Sequence, residues 1–200
     1  MANGRVITGF SKPYVGVYSN TAGTNTYTKG QVLARGVSVT LAPEAGDPAE
    51  FYADNVLAET AGGTFGGGTV TLTVDGLLDA AEALVYGLPA AESLTVSSGS
   101  VDIYNYGDGM VVPFVGVGFI VRYMSDNVTT YVPVFLPKVR FQMHETAANT
   151  QGDTMEFQTE ELTADIFRDD TASRNWKQVA AAQTTEAAAE AVLKTLLDIA

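Results

Sequence analysis

Two hundred residues carry 23 Asp and Glu against 11 Lys and Arg, a net charge of −12. That excess repels phosphate and excludes a free-standing nucleic-acid reader working through counterion release. The absence of cysteine removes disulfide scaffolds, thiolate zinc sites and cysteine nucleophiles, and with His144 the only histidine no histidine-based metal cluster can form.

From the N-terminus, MANGRVITGF lacks the charged-then-apolar layout of a signal peptide, so the expected compartment is the one in which the chain is made. Residues 1 to 43 contain Arg5, Lys12, Lys29 and Arg35 and no carboxylate, whereas the remainder holds seven bases and all 23 acids. Such asymmetry is a partner signal rather than a fold signal. Residues 19 to 31 read as a long loop. In Val32 to Leu41, Leu33, Val37, Val39 and Leu41 alternate with small and polar residues, a strand that Arg35 interrupts. Gly62 to Gly68 reads as a flexible loop, since no Gly-Lys-Ser/Thr follows and the next element is a strand rather than a phosphate-binding helix. Thr69 to Val74 alternates strictly, with Val70, Leu72 and Val74 on one face and three threonines on the other.

Gly76 to Tyr86 predicts an amphipathic helix with Leu77, Leu78, Ala81, Leu84 and Val85 on one side, capped by Asp75 and stopped at Gly87-Leu88-Pro89. A long loop over 88 to 110 follows. Val111 to Val121 is apolar on both faces, as a central covered strand is, and Gly116 and Gly118 leave one face bare for a close neighbour. Ser125-Asp126-Asn127 marks a hairpin turn into Tyr131 to Met143, where Pro133 and Pro137 require an edge or a bend. After a loop at 144 to 153, Thr154 to Phe167 changes parity, which a bulge near Gln158 to Glu161 would reconcile. Asp169 to Ala182 reads as a linker carrying Trp176, either a docking anchor or a satellite core residue. The last helix, about Thr185 to Ile199, presents Val192, Leu193, Leu196 and Leu197, with Glu186 in its first turn and Glu190 four before Lys194, and is available to dock on a neighbour.

No set of residues reads as a catalytic centre. His144 has Glu145 beside it but no serine elbow, and the pairs Glu160-Glu161 and Asp169-Asp170 point to opposite faces when extended. Asp102 and Asp108 lack the spaced oxygen ligands of an EF-hand. The triplet Asn127-Val128-Thr129 has glycosylation meaning only in a secreted chain.

The run Gly36-Val37-Ser38-Val39-Thr40-Leu41-Ala42-Pro43-Glu44, followed by Phe51-Tyr52-Ala53-Asp54-Asn55, resembles the major tail proteins (tail tube proteins) of long-tailed siphophages and prophages. Gly68 to Val74 before a short helix, the strands around Phe119 and Phe135, and Phe157-Gln158-Thr159-Glu160-Glu161-Leu162-Thr163 follow in the same order. The likeness covers roughly residues 5 to 170 and leaves out the C-terminal helix. It implies a mainly β chain, an antiparallel β-sandwich with one flanking helix over residues 1–180; the C-terminal helical extension, residues 181–200, is read from its own periodicity. It also implies a structural virion protein, made in the host cytoplasm and located in the tail, whose hexameric rings stack into a tube. Implied partners are further copies of the chain, tail terminator and baseplate or tail-tip proteins, and the tape measure protein and DNA in the lumen, without sequence-specific binding. No membrane, cofactor, metal or catalytic residue is implied.

On this reading Lys12, Lys29, Arg35 and Trp176 are inter-subunit candidates. Glu156, Glu160 and Asp165 are candidates for an acidic lumen, with Lys138 and Arg140 as exceptions. The alternative is a carbohydrate-binding or adhesin module using Tyr18, Tyr27, Tyr104 and Tyr106, against which the missing signal peptide counts.

Overall fold

The computed structural model describes residues 4–143, 145–150 and 156–199. The elements are β1 (Val6–Thr21), β2 (Thr24–Val32), β3 (Gly36–Ala45), β4 (Ala49–Ala53), β5 (Val56–Ala61), β6 (Phe65–Val74), α1 (Asp79–Tyr86), β7 (Glu92–Val96), β8 (Gly99–Ile103), β9 (Val115–Ser125), β10 (Val128–Phe141), β11 (Glu160–Phe167), β12 (Gln178–Val179) and α2 (Glu186–Leu196). The chain is mainly β, as expected. An antiparallel sheet runs β2-β1-β9-β10-β11-β6-β3, with β12 added to β10, and β4-β5 and β7-β8 form separate hairpins.

The sheet curls so that its halves face each other across the main core, in the manner of a β-sandwich. Val15, Val117, Phe119, Val134 and Leu136 from one half meet Val70, Leu72, Leu162 and Ala164 from the other, and α1 adds Ala81, Val85 and Tyr86. Alternation at period two sends every second side chain of β6 and β11 into this core. The curl brings β1 against β3, just past the point where the Leu33 N–H extends the β1-β2 ladder by donating to the Pro13 carbonyl at 2.9 Å. The Phe10 ring there lies so close to Gly36 that a Cβ on Gly36 would sit 2.1 Å from it. A second core, on the outer side of β1, β2, β9 and β10, holds Tyr14, Tyr18, Tyr27, Ile120 and Phe135 under Ala189, Leu193 and Leu197 of the α2 region. The C-terminal helix therefore docks on its own chain, not on a neighbour.

Several sequence expectations change. Residues 19 to 31 are a hairpin rather than a loop, turning at Ala22 and Gly23, both with positive φ. The predicted strand from 32 is broken at 33–35, where Leu33 and Ala34 drop into the core and β3 restarts with a register shift that leaves Val37 exposed. Phe65 to Gly68 is strand, not flexible loop: it pairs with Pro43 to Ala45, and a Cβ on Gly68 would meet the Ala42 oxygen at 2.5 Å. The region 88 to 110 contains the β7-β8 hairpin. Residues 111 to 114 precede β9 rather than belonging to it.

Asp75 does not cap α1. The N-cap is Leu78, without a side-chain bond, and Leu78 is exposed. Gly87 ends the helix in the left-handed region as its type demands. The turn at Asp126-Asn127 has both residues at positive φ, the two-residue geometry that matches strand twist. The bend allowed for by Pro133 and Pro137 falls between Leu136 and Val139, and the first half of β10, paired along one side with β9, meets only β12 and the Tyr131–Gln183 bridge on the other. No bulge interrupts β11. It starts at Glu160, after an exposed Phe157, and the parity change arises because the preceding segment is not strand. His144, residues 151–153 of the expected loop, and Thr154 and Met155 at the start of the expected strand lie outside the described residues.

Candidate assembly surfaces

The outer face of β3, β6, β11 and the second half of β10 is polar and half-exposed. Its rows follow from strand register: Ser38, Thr73 and Glu161; Thr40, Thr71 and Thr163; Ala42, Thr69, Asp165 and Arg140. Ser38 Oγ donates to Thr73 Oγ1 at 2.8 Å and Gln142 Nε2 to Asp165 Oδ1 at 2.7 Å. Neither helix lies over it, since α1 joins the main core and α2 the second.

This face is rich in hydroxyls rather than acidic. Glu161 and Asp165 are set against Lys138 and Arg140, and Lys138 is held by Asp170 at 2.7 Å. The three lumen candidates do not come together on it. Glu160 is five residues from Asp165 and so lies on the opposite face of β11, where its Oε2 accepts the Leu77 N–H at 3.0 Å on the approach to α1. Glu156 is exposed ahead of the strand.

Strands β2 and β3 end the sheet, and each offers an unpaired edge. The β3-β6 ladder also continues outward. Ala45 pairs with Phe65, and after a short break Ala49 pairs with Ala61, so β4-β5 is an arm on the β3-β6 ribbon. At about 3.4 Å per residue, the stretch from Gly46 to the turn spans roughly 30 Å. Asp54 and Asn55 close the turn, both at positive φ. Every residue of β4 and β5 is exposed, including Phe51, Tyr52, Val56 and Leu57. The β7-β8 hairpin likewise exposes Leu94, Val101 and Ile103.

Two of the four N-terminal bases are answered by acids of the same chain. Lys12 Nζ lies 3.3 Å from Glu190 Oε2, and Arg35 Nε lies 2.5 Å from Asp75 Oδ2 while the Arg35 N–H donates to Asp75 Oδ1 at 3.0 Å. Burial works against ionisation of Asp75, but these two bonds and the Arg35 charge outweigh it and hold the carboxyl below its ordinary range. The Arg5 guanidinium sits 4.4 Å from the centre of the Tyr123 ring. Lys29 is exposed and makes no ion pair among the described residues. Lys12 and Arg35 are thus structural partners of Glu190 and Asp75 before they are anything else. Trp176 is a satellite core residue: its ring stacks on Phe65 at 4.5 Å, with the planes 1° from parallel.

Of the clamp on α2, the sequence expects the Glu190–Lys194 pair and not the partners on β1. Tyr14 Oη donates to Glu190 Oε1 at 2.5 Å, Lys194 Nζ approaches the same oxygen at 3.1 Å, and Ser11 Oγ donates to Glu186 Oε1 at 2.5 Å. The Tyr14 bond, reinforced by Lys194 and Lys12, lowers the Glu190 carboxyl to about 2 against the partial burial that opposes it. Burial, followed by the bond to Glu190, pushes the Tyr14 phenol up. Thr185 caps the helix by accepting the Ala188 N–H at 3.2 Å. The bare face at Gly116 and Gly118 is filled from within the chain, by Tyr27 and by Leu193 and Leu197.

Of the tyrosines open to a glycan-binding reading, Tyr18 and Tyr27 are buried, Tyr104 is half-exposed, and Tyr106 is exposed while it donates to Glu82. No group of three or more His, Cys, Asp or Glu among the described residues is arranged to hold a metal ion, and none of their helices is long and apolar enough to cross a membrane. No family model matches the chain, and no curated protein is similar to it in sequence.

Proposed function

We propose that this chain is the subunit of a self-assembled tube, a structural virion protein whose hexameric rings stack into a phage tail and form a passive conduit for the genome. The observation that carries the reading is the β4-β5 arm. A two-stranded hairpin is marginally stable in water at best, and one that exposes Phe51, Tyr52, Val56 and Leu57 gains its stability on a partner. Two open sheet edges supply the means for lateral pairing between copies.

The hydroxyl-rich face of β3, β6 and β11 is the proposed lumen wall. Two acids and two bases on it give phosphate no net attraction, so DNA passes without being held. The terminator, tip and tape measure proteins would meet the ends and interior of such a tube. Gel filtration followed by negative-stain microscopy across rising protein concentration tests the reading. Rings or tubes with an open channel are expected, and a monodisperse monomer at every concentration overturns it.

A further inference from the structure

An apolar groove of about 450 Å³ opens between the two halves of the sheet, where β1 and β9 face β3. Phe119 and Val134 form its buried floor, Ile7, Phe10, Val37 and Leu41 its walls, and Lys177 its lip, and no carboxylate lines it. Val37 and Ile7 are 56% and 64% exposed, an unusual state for walls that continue directly into a core. Arg5, lying on Tyr123 of the same groove, adds a second cation to the rim. Neither Arg5 nor Lys177 makes an ion pair among the described residues.

The arm has the complementary chemistry. Residues 44 to 61 contain Glu44, Asp47, Glu50, Asp54 and Glu59 and no base, around exposed aromatic and branched side chains. Phe51 pairs across the hairpin with Glu59, and Ala53 with Val56, so apolar tip residues stand beside acids. We propose that the tip of the β4-β5 arm of one copy seats in the β1/β9-β3 groove of a second copy, with Phe51 and Val56 against the apolar walls and the arm's carboxylates against Arg5 and Lys177. Each copy has one arm and one groove at different places, so a head-to-tail contact, unlike a reciprocal exchange of arms, leaves a free arm and a free groove and propagates from copy to copy. The inference rests on the self-assembly reading above and assigns its docking partner.

Because the chain lacks cysteine, one engineered thiol per copy reports the contact. A tagged Val56→Cys chain is mixed with an untagged Val37→Cys chain under mild oxidation. Both positions are exposed, so folding is not the variable. The expected result is a heterodisulfide at least tenfold enriched over a control mixture of Val56→Cys with Val111→Cys. Particles visible by microscopy without that enrichment overturn the docking site and leave self-assembly standing. Absence of any particle for the unsubstituted chain overturns self-assembly and the docking site with it. A disulfide within one chain of the Val37→Cys/Val56→Cys double variant at high dilution assigns the groove to its own arm and overturns the proposal. As an independent check, Arg5→Glu with Lys177→Glu raises the concentration needed for assembly at least tenfold, and Asp54→Lys at the tip with Glu59→Lys on the Phe51 face in the same chain restores it. Failure of the swap to restore assembly removes the charge pairing.

Discussion

Gly118 is a position where one missing carbon decides what packs. A Cβ there would lie 3.0 Å from a methyl of Leu193, in a sheet strand that cannot retreat. Gly118→Val should destabilise the protein by about 1–3 kcal/mol, the usual result of overpacking, measured by urea unfolding. Exposure of α2 to proteolysis should rise with it. Glu190 carries the pH dependence. Its carboxyl falls from an ordinary value near 4.5 to about 2 in the folded chain, so it contributes stability that is present above pH 4.5 and lost as the pH falls toward 2. Glu190→Gln should cost about 1 kcal/mol at pH 7, allowing for solvent screening, and the gap to the parent should close by pH 2. A gap that persists at acid pH would assign the effect to packing. The bare face at Gly116 and Gly118 was legible from their spacing. That Leu193 and Leu197 of the same chain would fill it was not, because spacing says nothing about a partner some 75 residues away.

At the scale of elements, the helices and the alternating strands were legible wherever local pattern and burial agree, as in Thr69 to Val74 and the last helix. The errors fall where they part. Residues 19 to 31 read as a loop because Asn, Thr and Gly populate them, yet an edge strand with one solvated face tolerates that composition. Gly66 to Gly68 read as flexible because glycine usually is; here close backbone approach requires it. The arm is the separable element. Replacing residues 47–63 by a two-residue Asn-Gly turn should leave the unfolding free energy of the monomer within about 0.5 kcal/mol, since β4 and β5 bury nothing. The same variant should form no particles on gel filtration. Trp176→Ala tests the opposite assignment: loss of a half-buried stacked ring should cost about 2 kcal/mol in thermal unfolding without abolishing assembly.

For the whole molecule, the acidic excess that excluded a nucleic-acid reader has a different distribution from the one composition suggested. The candidate lumen face is close to neutral, and a block of acid with no compensating base sits on the arm. Duplex DNA should therefore show no retardation by assembled protein at 150 mM salt in a gel-shift measurement, and retention would contradict a conduit that does not grip its cargo. The sequence by itself determined the β class, the final helix, the absence of thiol chemistry and the segregation of charge, because these follow from residue type and period along the chain. Tertiary structure alone decided that Lys12 and Arg35 meet acids of their own chain and that Glu160 and Asp165 face opposite ways. It also decided that an apolar groove stands open beside a basic rim. Those outcomes depend on which strands the curled sheet brings together, and one-dimensional spacing does not encode that juxtaposition.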